Sequence, residues 1–297
     1  MGKKTFRSEL FMILPVLFIL GAITLYPFVY LIIMSFMNFR SLMGLSNIFC
    51  GFSNWAEMIS DSTLINSWIV TIKYVGISLL LEVAIGTIIS IILYLIPYNK
   101  FKTIIVVLVM FPMFISSVIV GLSWRFLFSG TYGLFAHILM ALGISNANNI
   151  LGNVSTALPG IITMDVWEWT PLVIIIIYAM LLAVPQEITE AALVDGANYF
   201  QIILYIFTPY LRRGIVMALL IRGMDLIRDS LPVILVTTQG GPANSTKTLS
   251  MKVYENAFRF FNFGYASVLA ITLLILSIIL ANIFLLFLRE KKEHNSF

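Results

Sequence analysis

The chain alternates between long apolar runs and short polar breaks. Each apolar run exceeds the roughly 20 helical residues that cross a bilayer. The runs cover residues 10–37, 66–96, 103–128, 155–184, 211–237 and 264–288. Since helices satisfy every backbone hydrogen bond within the segment, the pattern predicts an all-α, polytopic membrane protein of six transmembrane helices. We expect residues 1–297 to form a single transmembrane domain.

Composition supports the same class. Hydrophobic residues make up 60% of the chain and charged residues 11%, whereas soluble proteins average about 25% charged residues. The first run is too long for the core of a signal peptide, so it is expected to stay as a span. These features predict a multi-pass protein of the cell (plasma or inner) membrane, with the lipid bilayer as a partner. The net charge of +4 lies in short loops, so we expect no nucleic-acid partner.

Lysine and arginine are unevenly shared between the two sets of loops. One set, which includes both termini, carries Lys3, Lys4, Arg7, Lys100, Lys102, Arg212, Arg213, Arg289, Lys291 and Lys292. The longer opposite connectors carry only Arg40, Lys247, Lys252 and Arg259. Because basic residues accumulate in cytoplasmic loops, the N- and C-termini and residues 186–213 are predicted to be cytoplasmic.

Residues 186–213 form a polar segment between the fourth and fifth runs. Thr189 is placed to cap a short helix, with Glu190 in its first turn, where a negative charge suits the helix dipole. Gly196 supplies a break, and Pro209 stops or restarts the helix. The pattern predicts a helix–turn–helix at the membrane face that contacts a partner outside the lipid.

The same segment resembles the coupling loop of permease subunits of ABC importers. That loop reads Glu-Ala-Ala, three residues, Gly, nine residues, then Ile-x-Leu-Pro, and Thr208 replaces the usual Leu. The resemblance implies contact with a cytoplasmic ATPase. Six residues fall in register with the loop, and Asp195 and Ala197 fit its Asp-Gly-Ala variant. The residues expected to couple to the ATPase are Glu190, Ala191, Ala192, Asp195, Gly196, Ala197, Phe200, Ile206 and Pro209.

A second resemblance lies in the C-terminal third. The stretch from Thr238, with Gly240-Gly241-Pro242, and then Phe263-Gly264-Tyr265-Ala266, is similar to the sugar and glycerol-phosphate branch of these permeases. It implies that Gly240, Gly241 and Pro242 form an outer turn that faces a binding protein. Leu231-Pro232 departs from the Phe-Asp common in that branch, so substrate contacts cannot be transferred there.

Polar groups inside the apolar runs are the candidates for a substrate pathway. The fifth run holds four charges on one helical face, and the fourth run holds acids beside aromatic rings, which suit a sugar. The candidates are Glu82, Asp165, Trp167, Glu168, Trp169, Arg222, Asp225, Arg228 and Asp229. Two interpretations stay open for the fifth run: substrate contact or a structural ladder of ion pairs. Glu82 is expected to pair with an arginine of that run or of a partner. Tryptophans at span ends also serve as anchors at the membrane–water interface, and acids at span ends are also found simply hydrated.

Motifs for chemistry on this chain are not found. The sequence has no Gly-x-x-x-x-Gly-Lys-Ser/Thr loop, no His-Glu-x-x-His and only two histidines. We therefore expect no enzyme activity, no catalytic residue, no metal site and no cofactor on this chain, with ATP and Mg bound by a partner ATPase.

The resemblance implies a permease subunit of an ATP-driven importer for sugars, oligosaccharides or related polyols that works by alternating access. Its implied partners are a second, non-identical permease, two ATPase subunits and an extracytoplasmic substrate-binding protein. Three alternatives stay open: an ion-coupled secondary transporter, an importer of an anionic solute such as glycerol phosphate or a uronate oligosaccharide, and a membrane scaffold.

Overall fold

The computed structural model describes residues 2–40, 45–144 and 148–289. Within them the chain is helical, apart from a two-stranded antiparallel hairpin of β1 (Met37–Arg40) and β2 (Leu45–Phe49). The helices are α1 (Gly2–Ser35), α2 (Ser53–Ser60), α3 (Ser62–Leu95), α4 (Lys100–Met110), α5 (Ser117–Leu127), α6 (Leu134–Ala141), α7 (Ala157–Leu182), α8 (Gln186–Val194), α9 (Tyr199–Gln201), α10 (Thr208–Thr237), α11 (Leu249–Tyr254) and α12 (Phe263–Arg289).

Five described helices are long and apolar enough to cross a membrane, and a sixth span is counted if a bent pair forms one. This agrees with the predicted six-span helical architecture. The predicted start of the second span at Asn66 is wrong, because α3 begins at Ser62. The Asn66 amide does not cap the helix but donates a hydrogen bond to the carbonyl oxygen of Asn244 at 2.8 Å.

The third predicted span is a sharply bent pair of helices. Helices α4 and α5 meet at 100° across a short 3₁₀ turn, Phe111–Phe114, that contains Pro112. Ile115 then takes an extended conformation before α5 starts at Ser117. The kink expected at Pro112 is thus a full break, which the lack of an N–H on proline permits.

The continuous helix that contains the fifth span begins earlier than the apolar run. Helix α9, a π-helical turn at Ile202–Phe207 and α10 follow one another without a gap. Pro209 lies in the first turn of α10 and has no N–H to continue an α-helical ladder. The hydroxyl of Thr208 donates to the carbonyl oxygen of Ile203 at 2.8 Å, and so satisfies an acceptor in the wider turn.

Among the described residues, the chain divides into two compact units. The first unit combines Met1–Ser62 with Lys252–Thr272. The second unit combines Thr63–Met251 with Leu273–Phe297. The second unit contains a core in which α7 packs on the residues around the π turn. Its buried members are Val173, Ile177, Leu181, Val184, Ile202, Phe207, Leu211 and Ala218. The rings of Phe207 and Tyr94 meet edge to face at 5.2 Å, which adds α3 to this core.

Close packing of α3 on α7 depends on Gly86. A Cβ at this position would lie 2.7 Å from Cγ1 and 2.9 Å from Cβ of Val173. Because apolar helices in a bilayer gain little from hydrophobicity alone, small residues that allow close approach stabilise their contact.

We predict that Gly86→Ala lowers stability by about 1–3 kcal/mol, because the added methyl group overpacks the contact with Val173. The measurement is the thermal unfolding midpoint of the purified protein in detergent. Gly76→Ala is the matched control, since a Cβ at Gly76 has nothing within 4 Å on the same helix. Equal midpoints for the two variants would contradict the prediction.

Candidate functional site

Helix α8 ends in a glycine motif that fixes the predicted turn. Gly196 has a φ of +85°, in the left-handed region that favours glycine. Its N–H donates to the oxygen of Leu193 at 3.1 Å, and the N–H of Ala197 donates to the oxygen of Ala192 at 2.9 Å. These two bonds satisfy carbonyls that the helix end would leave open, and they define a Schellman motif.

The next helix starts immediately after this motif. The side chain of Asn198 accepts from the N–H of Gln201 at 2.9 Å, and the side chain of Gln201 accepts from the N–H of Asn198 at 2.8 Å. This reciprocal pair is a capping box. The segment from α8 to α9 therefore has hydrogen bonds at each end of its turn and is a rigid helix–turn–helix.

The predicted cap at Thr189 is wrong. Helix α8 begins at Gln186, directly after an extended Pro185, so Thr189 lies inside the helix. Its hydroxyl donates to the oxygen of Gln186 at 2.7 Å. Glu187, rather than Glu190, stands in the first turn, where its charge suits the helix dipole.

The segment presents apolar side chains that the described part of the chain leaves uncovered. Helix α8 has no buried residue, and Val194 is 87% exposed. Phe200 and Tyr205 are also exposed, and a cavity of about 350 Å³ lies between Ala192 and Tyr205. In contrast, Ile202 and Phe207 are buried in the core with α7. The C-terminal end of the segment is thus fixed in the core, and its remaining apolar face is uncovered, as at an interaction site.

The predicted charges of the second, fourth and fifth spans meet at a buried ion cluster. Arg222 is 1% exposed and Glu82 is fully buried. Nε and Nη2 of Arg222 donate to the two carboxylate oxygens of Glu82 at 2.7 and 2.8 Å. Nη2 also donates to Asp165 at 3.1 Å, and the guanidinium lies 4.9 Å from the centre of the Trp169 ring. The expected pairing of Glu82 with an arginine of the fifth span is confirmed.

This cluster joins α3, α7 and α10. A fork-shaped guanidinium matches a carboxylate with two parallel, charge-assisted bonds, and removing either partner would leave a buried charge unpaired. The cluster brings together four of the predicted pathway residues, namely Glu82, Asp165, Trp169 and Arg222. Their direct contact with a substrate stays a prediction.

The other predicted pathway residues lie apart from the cluster. Glu168 is buried and accepts a hydrogen bond from the hydroxyl of Ser117 at 2.6 Å. Trp167 is half-exposed and meets Trp124 edge to face at 5.8 Å. Arg228, whose side chain is 76% exposed, lies 3.7 Å from Asp225. The side chain of Asp229 is outside the part of the chain that the structure describes.

The predicted outer turn at Gly240-Gly241-Pro242 is tightly built. Gly240 has a φ of +88°, and the N–H of Gly241 donates to the oxygen of Thr238 at 2.9 Å. The hydroxyl of Thr246 donates back to the oxygen of Gly241 at 2.7 Å. The geometry agrees with a fixed turn beyond the fifth span, and its contact with a binding protein stays a prediction.

The comparisons with known proteins agree with these features. Residues 83–293 match the family described as "Binding-protein-dependent transport system inner membrane component". The chain is 33% identical to the trehalose/maltose transport system permease protein of Thermococcus litoralis, over 73% of this chain and 70% of that protein. It is 27% identical to the sn-glycerol-3-phosphate transport system permease protein of Brucella abortus, over 100% of both chains.

Two solved structures share the fold. One is the crystal structure of a bacterial ABC transporter involved in the import of the acidic polysaccharide alginate. It has a TM-score of 0.83 and 21% identity over 98% of this chain and 99% of that one. The other is a bacterial alginate ABC transporter in complex with an alginate pentasaccharide-bound periplasmic protein. It has a TM-score of 0.80 and 21% identity over 95% and 94% of the two chains.

We predict that Arg222→Met destabilises the protein much more than Asp165→Asn. The first change leaves two buried acids without their cation, and losing one partner of a buried pair costs about 3–5 kcal/mol. The second change keeps the two short bonds between Arg222 and Glu82. Thermal unfolding in detergent and the amount of protein in the membrane would measure the difference. Equal losses for both variants would contradict the assigned role of Arg222.

Proposed function

Because this chain belongs to the family of binding-protein-dependent transport system inner membrane components, we propose that it imports a neutral sugar or oligosaccharide as one permease subunit of an ATP-driven importer. It is a multi-pass inner-membrane protein and a permease component of an ABC transporter. In this proposal residues 1–297 act as one transmembrane domain, residues 186–213 are its coupling loop, and both termini are cytoplasmic.

The observation that carries the proposal is the rigid, uncovered helix–turn–helix. Helix α8 buries no residue on this chain, while the following Ile202 and Phe207 are fixed in the core. Because hydrogen bonds fix its turn, such a segment moves as a rigid unit when a partner displaces it. We propose that it sits on a separate ATPase subunit that binds ATP and Mg, and that closure of two such subunits shifts this permease between inward-open and outward-open states.

Charge balance around the fifth span supports a neutral substrate. Arg222 is matched by two carboxylates, and Arg228 lies beside Asp225. Arg222 and Arg228, the predicted pathway cations of the fifth span, thus already have acidic partners. The relatives are named for solutes of both kinds, trehalose/maltose and sn-glycerol 3-phosphate, so the charges rather than the family support this choice.

The proposed assembly contains further partners. A second, non-identical permease would complete the pathway, and an extracytoplasmic binding protein would deliver the sugar near Gly240, Gly241 and Pro242. The family description names binding-protein dependence, and the alginate transporter was crystallised with a periplasmic protein. Both findings support the delivery step.

A secondary transporter and a scaffold are less well supported. A proton-coupled mechanism through Glu82 would need its carboxyl group to exchange with water, whereas Glu82 is fully buried and both of its oxygens accept bonds from Arg222. A scaffold does not account for the match to a transport-system family and to a sugar-transport permease.

We predict that Gly196→Asp leaves the protein in the membrane but lowers uptake by about tenfold or more, equal to about 1.4 kcal/mol of lost coupling. The measurements are sugar uptake by cells and ATPase stimulation by the binding protein. The control is Gly143→Asp, because Gly143 also has a positive φ, +82°, and open space around it, in another connector. Normal uptake and stimulation in Gly196→Asp would refute the coupling role.

We predict that this importer takes up maltose, trehalose or diacetylchitobiose, the sugars for which relatives of the chain are named, faster than sn-glycerol 3-phosphate. The reason is that Arg222 and Arg228 have acidic partners. Uptake of labelled probes would be measured with and without a protonophore, and in cells that lack the ATPase. Preference for the phosphate would refute the neutral class. Uptake that stops with the protonophore but survives without the ATPase would favour a secondary transporter.

A further inference from the structure

A polar cavity of about 560 Å³ lies at the end of α10 that is remote from the proposed coupling loop, residues 186–213. Helix α10 has 30 residues, which at 1.5 Å each span ~45 Å, and the cavity begins at its last residue, Thr237. The volume lies within the roughly 300–1,000 Å³ typical of small-molecule sites. The end of α5, residues 129–132 and 148–152, and the turn after α10 form its walls.

Both walls of the cavity are held by short-range contacts. Ser129 pairs with Asn149 in an isolated antiparallel bridge, and Gly130 lies so close to the backbone of Asn148 that a Cβ would clash. On the opposite wall, the hydroxyls of Thr238 and Thr246 are 2.7 Å apart. Because the walls are already ordered, a ligand would bind without the entropy loss of ordering them.

The lining chemistry suits a polyol such as a sugar. Ser129, Thr131, Asn148 and Asn149 offer hydroxyl and amide groups that both donate and accept hydrogen bonds. Tyr132 adds a ring whose face can lie against the apolar side of a sugar. None of the lining residues, all of which are described, carries a carboxylate, so the cavity is unsuited to a metal cation.

The one cation in the wall has a structural contact. Nη1 of Arg125 donates to the oxygen of Val236 at 3.0 Å, and this bond joins the end of α5 to the end of α10. The remaining N–H groups of its guanidinium can donate to sugar hydroxyls, as the amide of Asn148 can.

We propose that this cavity is an outer saccharide-binding subsite that holds a neutral sugar between its release by the binding protein and its entry into the membrane pathway. The subsite rests on the proposed function, because a sugar reaches it only if this chain is part of a sugar importer with residues 186–213 on the cytoplasmic side.

The test first replaces the single native cysteine of the chain, Cys50, so that an introduced thiol is the only one on this chain. In a Cys50→Ser background, Thr131→Cys places a thiol in the cavity wall, and Leu142→Cys places an exposed control thiol in the same connector, outside the cavity. The rate of reaction with a small neutral maleimide is measured by mass spectrometry on the assembled importer in membranes. The probe is whichever of maltose, trehalose or diacetylchitobiose gives the fastest uptake.

At a sugar concentration of about ten times the Kd, mass action leaves about one site in ten open, so labelling of Thr131→Cys is expected to slow about tenfold. Labelling of Leu142→Cys should not change. Uptake of a sugar without any protection at Thr131→Cys would overturn the subsite alone. Protection by the sugar-free binding protein, or by sn-glycerol 3-phosphate but no neutral sugar, would also overturn it. Failure of all three sugars in the uptake assay would overturn the proposed function and the subsite together.

Discussion

The buried contact of Arg222 with Glu82 and Asp165 fixes how three membrane helices face one another. Helices α3 and α7 are apolar on nearly every side, so hydrophobicity does not select which face of each points inward. A charged group at the bilayer centre costs at least about 2.5–3.5 kcal/mol when it faces lipid, so Arg222 must turn α10 toward the acids. Gly86 then lets α3 approach Val173 of α7 closely, and the polar and the close-packed contacts select the same faces.

The helix from Tyr199 to Thr237 connects all the features assigned to function. Its first residues follow the capping box of the coupling segment, Arg222 lies within it, and Thr237 borders the outer cavity. The π turn near Pro209 interrupts the regular α-helical hydrogen bonds of this helix, but Phe207 within that turn is buried against α7 and Tyr94. The π turn is therefore fixed to α7 and α3, while α10 contains a second proline, Pro232, between Arg222 and Thr237.

Features that depend on local sequence were predictable, and those that depend on packing were not. Apolar length predicted α7 as residues 155–184, close to the observed Ala157–Leu182, because a long run leaves few alternatives. The need of a buried acid for a cation predicted the partner of Glu82. The contribution of Asp165 required the fold, since 57 residues separate it from Arg222. The break at Pro112 likewise depends on its surroundings, because membrane helices often pass a proline with only a kink. Asn198 and Gln201 carry a readable capping signal that the prediction overlooked.

The chemistry of arginine limits how α10 can move. Its planar fork bonds both oxygens of Glu82 while one nitrogen also reaches Asp165, and its face lies over Trp169. Lysine, with a single ammonium group, cannot supply this fixed geometry. Rotation of α10 by one residue would turn the guanidinium by about 100° and leave three charged groups without partners in a dry interior. Transport movements that keep this cluster intact must therefore carry α3, α7 and α10 together.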